Sequence, residues 1–223
     1  MPAIALAAKA GEVTDLSGVV LIRKPDGQTR VLTPKSEVEE GDVIATTVNS
    51  YVRVKFADGG FAVLRPESQV RVASFKFEEN RPERDNVVLA LLRGGIRLVT
   101  GSSGKRSPDN VRVETPVAII GIRGTHFGLQ FCNNDCNALI GPGGGSPANG
   151  LHTDVSDGSI RVTTQAGSVT VGGGQFAFVQ GPAALPVLVP ATQAIRAILP
   201  PQATRPAPQG GTVGESRTAE CEL

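Results

Sequence analysis

The feature that most constrains this chain is an apolar–polar alternation of period two, running from Gly11 to about Val179 and broken every few residues by a turn signal. In Tyr51-Val52-Arg53-Val54-Lys55-Phe56, the residues Val52, Val54 and Phe56 alternate with Tyr51, Arg53 and Lys55. That spacing puts the two sets on opposite faces of a strand. Asp58-Gly59 turns the chain, Phe61 to Leu64 returns, and Pro66-Glu67-Ser68 turns it again into Val70-Arg71-Val72. A helix would need apolar residues every three or four positions, and that pattern is missing here.

The same reading extends in both directions. Pro25-Asp26-Gly27, between Ile22 and Val31, reads as a hairpin turn, because proline presets φ and Asp-Gly tolerates positive φ. Glu40-Gly41-Asp42 turns into Val43-Ile44. Val87 to Leu92 is a continuous apolar run that Gly94-Gly95 and its β-branched residues mark as strand. Val111 to Val113, Ala118 to Ile120, Gly158 to Val162, Val169 to Val171 and Phe176 to Val179 follow as further strands. The segments from Leu16 and from Val155 resemble each other: each sets a glycine before a short strand, then a Gly-containing turn, then a second strand. The expected fold is all-β, with short antiparallel hairpins stacked as a sandwich or as a roll or solenoid.

Composition sets the limits of this domain. Residues 133–150 hold Gly141-Pro142-Gly143-Gly144-Gly145-Ser146-Pro147 and read as a Gly/Pro surface loop. From Gly181 the prolines at 182, 186, 190, 200, 201, 206 and 208 argue against regular strands, so 181–223 is expected to be an extended or disordered tail. Only Ala191 to Leu199 could form a short helix there. Residues 1–10 are expected to be a frayed, Ala-rich terminus or the end of a signal peptide whose true start lies upstream, since Ala5-Leu6-Ala7 has the A-x-A pattern of small residues. No run approaches the ~18 apolar residues of a membrane-spanning helix, and a net charge of +1 gives no general attraction to nucleic acid.

Several phrases, taken in order, resemble the FecR domain family. They are Gly41-Asp42-Val43-Ile44; Val52 to Phe56 with Asp58-Gly59-Gly60; Leu64-Arg65-Pro66-Glu67-Ser68; and Leu92-Arg93-Gly94-Gly95-Ile96-Arg97 with Thr100-Gly101. The last is Thr115-Pro116-Val117-Ala118 through Gly121-Ile122-Arg123-Gly124-Thr125. The resemblance spans Gly11 to Gln130. It implies a domain on the outer side of the bacterial inner membrane or exported altogether, hence periplasmic or secreted. Family namesakes take part in surface signalling, between an outer-membrane transporter and a sigma factor. They place a cytoplasmic helical segment and a membrane helix ahead of the domain, and this sequence shows neither. It looks more like the stand-alone exported members.

The motif residues Asp58, Gly59, Arg97, Thr115, Pro116, Gly121, Arg123, Gly124 and Thr125 read as architecture. Thr115-Pro116 ends a strand, and Gly121 and Gly124 allow tight backbone passage. Arg123 is expected to send its planar fork of donors inward, to carbonyls or to Asp58, Glu114 or Asp42. The functional alternative makes Arg123 and Arg97 an anion-binding surface. In an exported chain, Cys132 and Cys136 most simply form a disulfide closing a small loop, with Cys221 left over.

No cofactor, metal site or catalytic set is expected. His126 and His152 have no recognisable nucleophile context, and Gly101 to Arg106 lacks the spacing of a phosphate loop. The chain therefore reads as a non-catalytic envelope protein with an unidentified protein partner in surface signalling or envelope organisation. The alternative is a glycan- or peptidoglycan-binding module, weakened by the absence of Trp and by Tyr51 being the sole tyrosine.

Overall fold

The computed structural model describes residues 9–141 and 144–195. Its strands are β1 (Lys9–Ser17), β2 (Val20–Arg23), β3 (Thr29–Val31), β4 (Glu37–Glu39), β5 (Val43–Thr46), β6 (Tyr51–Phe56), β7 (Phe61–Leu64) and β8 (Gln69–Lys76). They continue as β9 (Asn86–Val99), β10 (Val111–Glu114), β11 (Ile119–Cys132), β12 (Gly150–Thr164), β13 (Gly167–Gly172), β14 (Phe176–Val179) and β15 (Val187–Val189). One short helix, α1 (Ser102–Arg106), follows β9. Among the described residues all these strands belong to one open sheet, in which the β9–β10 pair is parallel and the others antiparallel.

Three long strands fold this sheet over on itself. The first half of β9 pairs with β8 and β10, and its second half with β7 and β11. The first half of β11 pairs with β10, and the second with β9. β12 pairs with β14 in its first half and with β13 in its second. One layer therefore runs β3-β2-β5-β8-β9-β10-β11-β12-β13, and the other runs β4-β1-β6-β7-β9-β11-β12-β14-β15. Each long strand changes layer at a glycine in the left-handed region: Gly94 at φ +74°, Gly124 at +55° and Gly158 at +76°. Bends of this kind are how strands turn sandwich corners.

The two inner faces share one core. Val20, Ile22, Ile44, Val70, Val72 and Leu91 from the first layer join Val52, Val54, Leu64, Ile96, Phe127 and Leu129 from the second. Phe56 of β6 stacks on Phe75 of β8 across the gap, with ring centroids 5.5 Å apart. The sandwich and roll expectations meet here, because the layers pack face to face while continuous strands join them.

The resemblance between the Leu16 and Val155 segments has a structural counterpart. β1 lies in the second layer, the chain crosses at Gly18 (φ +73°), and β2–β3 form a hairpin in the first. β12 crosses at Gly158 and forms its hairpin with β13. The likeness runs one strand further, since β4 returns to the second layer to pair with β1 as β14 returns to pair with β12.

Three local expectations change. The tail was expected to hold no regular strand, yet Val187–Val189 pairs with β14. Pro186 and Pro190 flank it and leave its three N–H groups intact, which suits an edge strand. Lys9 and Ala10 begin β1 and do not fray. Ala191–Gln193 forms a single 3₁₀ turn. The expected signal-peptide remnant, Cys221 and the end of the expected helix lie outside the described residues.

Gly158 provides a test of the crossings. A Cβ there would lie 2.3 Å from the Gly124 carbonyl oxygen, whereas Gly174, at φ +78°, has no atom within 4 Å of its Cβ position. Gly174→Ala should cost about 1–2 kcal/mol for the backbone conformation alone. Gly158→Ala should cost clearly more, by urea denaturation. Equal costs would mean that the crossing is not tightly packed.

Candidate functional site

Period two gives the second layer an outer face as well as a core face. Val63, Arg97, Gly128, Asp154 and Phe176 stand in register across β7, β9, β11, β12 and β14 on that outer face. A solvated row would be expected, but Val63, Arg97, Asp154 and Phe176 are all buried. Arg97 and Asp154 are two strands apart, roughly 9–10 Å of sheet. They meet because Gly128 between them has no side chain to stand in the way. Arg97 Nη2 donates to Asp154 Oδ2, and Nη1 lies 3.0 Å from Ser156 Oγ and 3.1 Å from His126 Nε2. An arginine has only donors, so this histidine nitrogen accepts.

The neighbouring row repeats the device. Arg65 follows β7, and its Nη1 reaches over Gly95 to donate to Gln130 Oε1 at 2.7 Å. A Cβ on Gly95 would lie 2.3 Å from that oxygen and 2.9 Å from Arg65 Cδ. Gln130 Nε2 in turn lies 3.3 Å from Cys136 Sγ. Cys132 and Cys136 are bonded, with Cα atoms 5.4 Å apart. The loop between them is held by Asn133 N–H on Asp135 Oδ1 (2.7 Å) and by Arg93 Nε on Asp135 Oδ2 (2.9 Å).

Both imidazoles are held neutral. Burial, reinforced by the Arg97 charge, pushes His126 below its ordinary pKa against the opposing pull of Asp154 and Asp157. Burial also lowers His152, although its Nε2–H donates to the Ala148 carbonyl at 2.8 Å. Burial likewise disfavours the charge on Arg65.

Of the motif residues expected to be architectural, Asp58, Gly59, Gly124 and Thr125 gather at one corner, away from this face's centre. Asp58 Oδ1 accepts the Gly60 N–H at 3.0 Å, beside Gly59 at φ +84°. The Asp58 carbonyl accepts the Ser102 N–H at 2.9 Å. Thr125 N–H donates to Thr100 Oγ1 (2.8 Å), and Thr100 N–H returns to the Thr125 carbonyl (3.1 Å), which fixes the chain just after Gly124. Thr115-Pro116 makes the β10–β11 turn, where Thr115 Oγ1 accepts the Ala118 N–H at 2.9 Å. Gly121 lies in plain extended pairing opposite Arg161, with no close contact for a Cβ.

Arg123 departs from expectation. Ile122 points into the core, so parity sends Arg123 outward. Its side chain is 68% exposed and, among the described residues, pairs with Asp109 at 3.9 Å. Asp58, Glu114 and Asp42 are not its partners, and it forms no shared surface with Arg97, which lies on the other layer. The buried arginines are Arg97 and Arg65. Asp154, Gln130 and Ser156 were not singled out in the sequence. Nothing in Leu151-His152-Thr153-Asp154-Val155 marks this carboxylate, and only the register places Asp154 beside Gly128.

The family model described as FecR protein matches residues 42–140. No curated protein matches the sequence. Two crystal structures of a protein described as a putative anti-sigma factor from Parabacteroides distasonis are similar, each with a TM-score of 0.48. Their identities are 12% and 13%, over 66% of this chain and 58% of theirs, so the match spans little more than half of their length. A structure described as a cell surface anchoring domain is 30% identical over 29% of this chain and 84% of its own, with a TM-score of 0.28.

Two outcomes test the buried row. Asp154→Asn should destabilise by roughly 3 kcal/mol, because it leaves a buried guanidinium without its carboxylate. Asp154→Asn combined with Arg97→Met should cost less than the sum of the two, and strict additivity would mean the pair is not coupled. The histidines give a pH signature. Their folded pKa values lie below the unfolded value of about 6.5, so the unfolded chain takes up protons first as pH falls. Stability is then full above about pH 7 and declines below about 6.5, by at most about 1.4 kcal/mol per pH unit for each imidazole. Denaturation midpoints at pH 7.5 and pH 5.5 measure this, and His152→Asn should shallow the decline.

Proposed function

We propose, from the match of residues 42–140 to the family model described as FecR protein, that this chain is a non-catalytic regulatory module of the bacterial envelope that works by binding another protein, docked along β15. The observation that carries this reading is the edge itself. β15 pairs on one side with β14 and, among the described residues, with no strand on the other. Val187 and Leu188 stand about half exposed, with Leu185 beside them at 60%. An uncharged apolar edge invites a further strand, and a partner segment added there would take main-chain hydrogen bonds from the edge and seat side chains on these residues. Pro186 and Pro190 limit the open length, which guards against indiscriminate pairing.

The disulfide between Cys132 and Cys136 supports an oxidising compartment, periplasmic or outside the cell. No helix among the described residues is long and apolar enough to cross a membrane. The non-catalytic reading draws on both histidines, since His126 Nε2 is engaged by Arg97 and His152 Nε2 by a backbone carbonyl. The glycan alternative gains little from Tyr51, which is buried with its hydroxyl donating to Asp15 at 2.9 Å. It cannot present its ring face to a sugar.

Crosslinking the purified chain to envelope fractions, with wild type beside Val187→Lys/Leu188→Lys, tests this. Both positions are exposed, so the variant should keep its stability within about 0.5 kcal/mol while losing the crosslinked partner. A partner retained by the variant would rule out β15 as the dock. Retention on peptidoglycan with no protein partner would favour the glycan reading.

A further inference from the structure

The geometry points to a carboxylate-binding site beside the disulfide loop, with Arg65 as the receptor for a small or chain-terminal carboxylate. A cavity of about 200 Å³ opens between the turn after β7 and the loop that follows Cys136, with Arg65 and Gln130 in its lining. Arg65 is only 9% exposed. Its Nη1 is taken by Gln130, but its Nε–H meets no acceptor. The carboxylates nearby are engaged elsewhere: Asp154 with Arg97, and Asp135 and Glu67 with Arg93. A buried cation with an unmet donor is costly, and here that donor belongs to a side chain lining an open cavity.

The class of ligand follows from the surroundings. A guanidinium offers donors in a plane that fits a carboxylate better than a point charge would. Glu67 and Asp135 also line the cavity, so a dianionic phosphate would meet two like charges, whereas a monoanion close to Arg65 is opposed less. Pro66, Ala138 and Leu139 supply apolar wall for a short alkyl stem. The volume is below the ~300–1,000 Å³ of pockets for larger ligands. It suits one terminal residue or a short-chain acid. Gln130 links the site to the covalent loop, because it touches both Arg65 and Cys136 Sγ.

The test is an NMR titration of the ¹⁵N-labelled full chain with N-acetylglycine, N-acetylglycinamide, acetate and inorganic phosphate, reading the Arg65 Nε–H and Gln130 side-chain resonances. N-acetylglycine should give a saturable shift, and the uncharged amide should bind at least about tenfold more weakly. Acetate matching N-acetylglycine would identify a free organic acid as the source. Weaker acetate would identify a peptide terminus. Arg65→Gln should abolish the shift. Ala138→Trp, which fills the cavity and leaves Arg65 in place, should do the same if the first variant fails to fold. No saturable shift, equal binding of acid and amide, or tighter binding of phosphate would overturn the proposal.

Discussion

The three strands β9, β11 and β12 each belong to both layers, and the rest of the structure depends on the glycines that let them do so. At Gly94 a Cβ would lie 2.5 Å from Ser68 Oγ and 2.7 Å from the Glu67 carbonyl, and at Gly158 it would meet the Gly124 carbonyl. These positions need positive φ and close backbone approach together, which only glycine supplies without strain. Gly124 is looser, with its nearest side-chain contact at 3.5 Å, and needs glycine mainly for its φ. Because the crossings are continuous chain, both layers share one core and neither can form its full set of hydrogen bonds alone. The matched segment, 42–140, contains two of the three crossing strands but not β1 or β12, which flank it in the second layer.

Glycine also explains the polar chemistry of the second layer. Two arginines reach partners beyond their adjacent strand, Arg97 over Gly128 and Arg65 over Gly95. In an ordinary sheet the intervening side chain would keep such groups apart. The result is a buried polar network on the face away from the core. The Arg97 group reaches the neutral His126, and the Arg65 group reaches the disulfide loop through Gln130. A buried ion pair is weak evidence for net stability. Its effect here is to fix which side chains lie over which strands, and so to position Arg65 against its cavity.

Much of the fold was legible in the sequence, because strand parity is a local property. The alternation in β6, the Asp58-Gly59 turn and the strand at Phe176 to Val179 all appear where period two and turn chemistry place them. The long strands were not legible as single elements. Leu92-Arg93-Gly94-Gly95 and Ile122-Arg123-Gly124-Thr125 look like breaks, and only pairing on both sides shows that the chain continues through them. For the same reason, the motif around Arg123 pointed to an inward arginine that parity sends to solvent. The buried arginines, Arg65 and Arg97, were visible as residues, but their partners Gln130 and Asp154 lie 65 and 57 positions away. Such pairs follow from register, which a single sequence does not state.

The central claim is that the crossing strands make the two layers one cooperative unit, and native-state hydrogen exchange along β12 tests it most directly. Leu151 lies in the second layer and Ile160 in the first, on either side of Gly158 and both fully buried. Their amides should exchange with the same free energy, equal to that of global unfolding, and with the same denaturant dependence. Separate free energies for the two amides, with one half of β12 opening while the other stays protected, would contradict it.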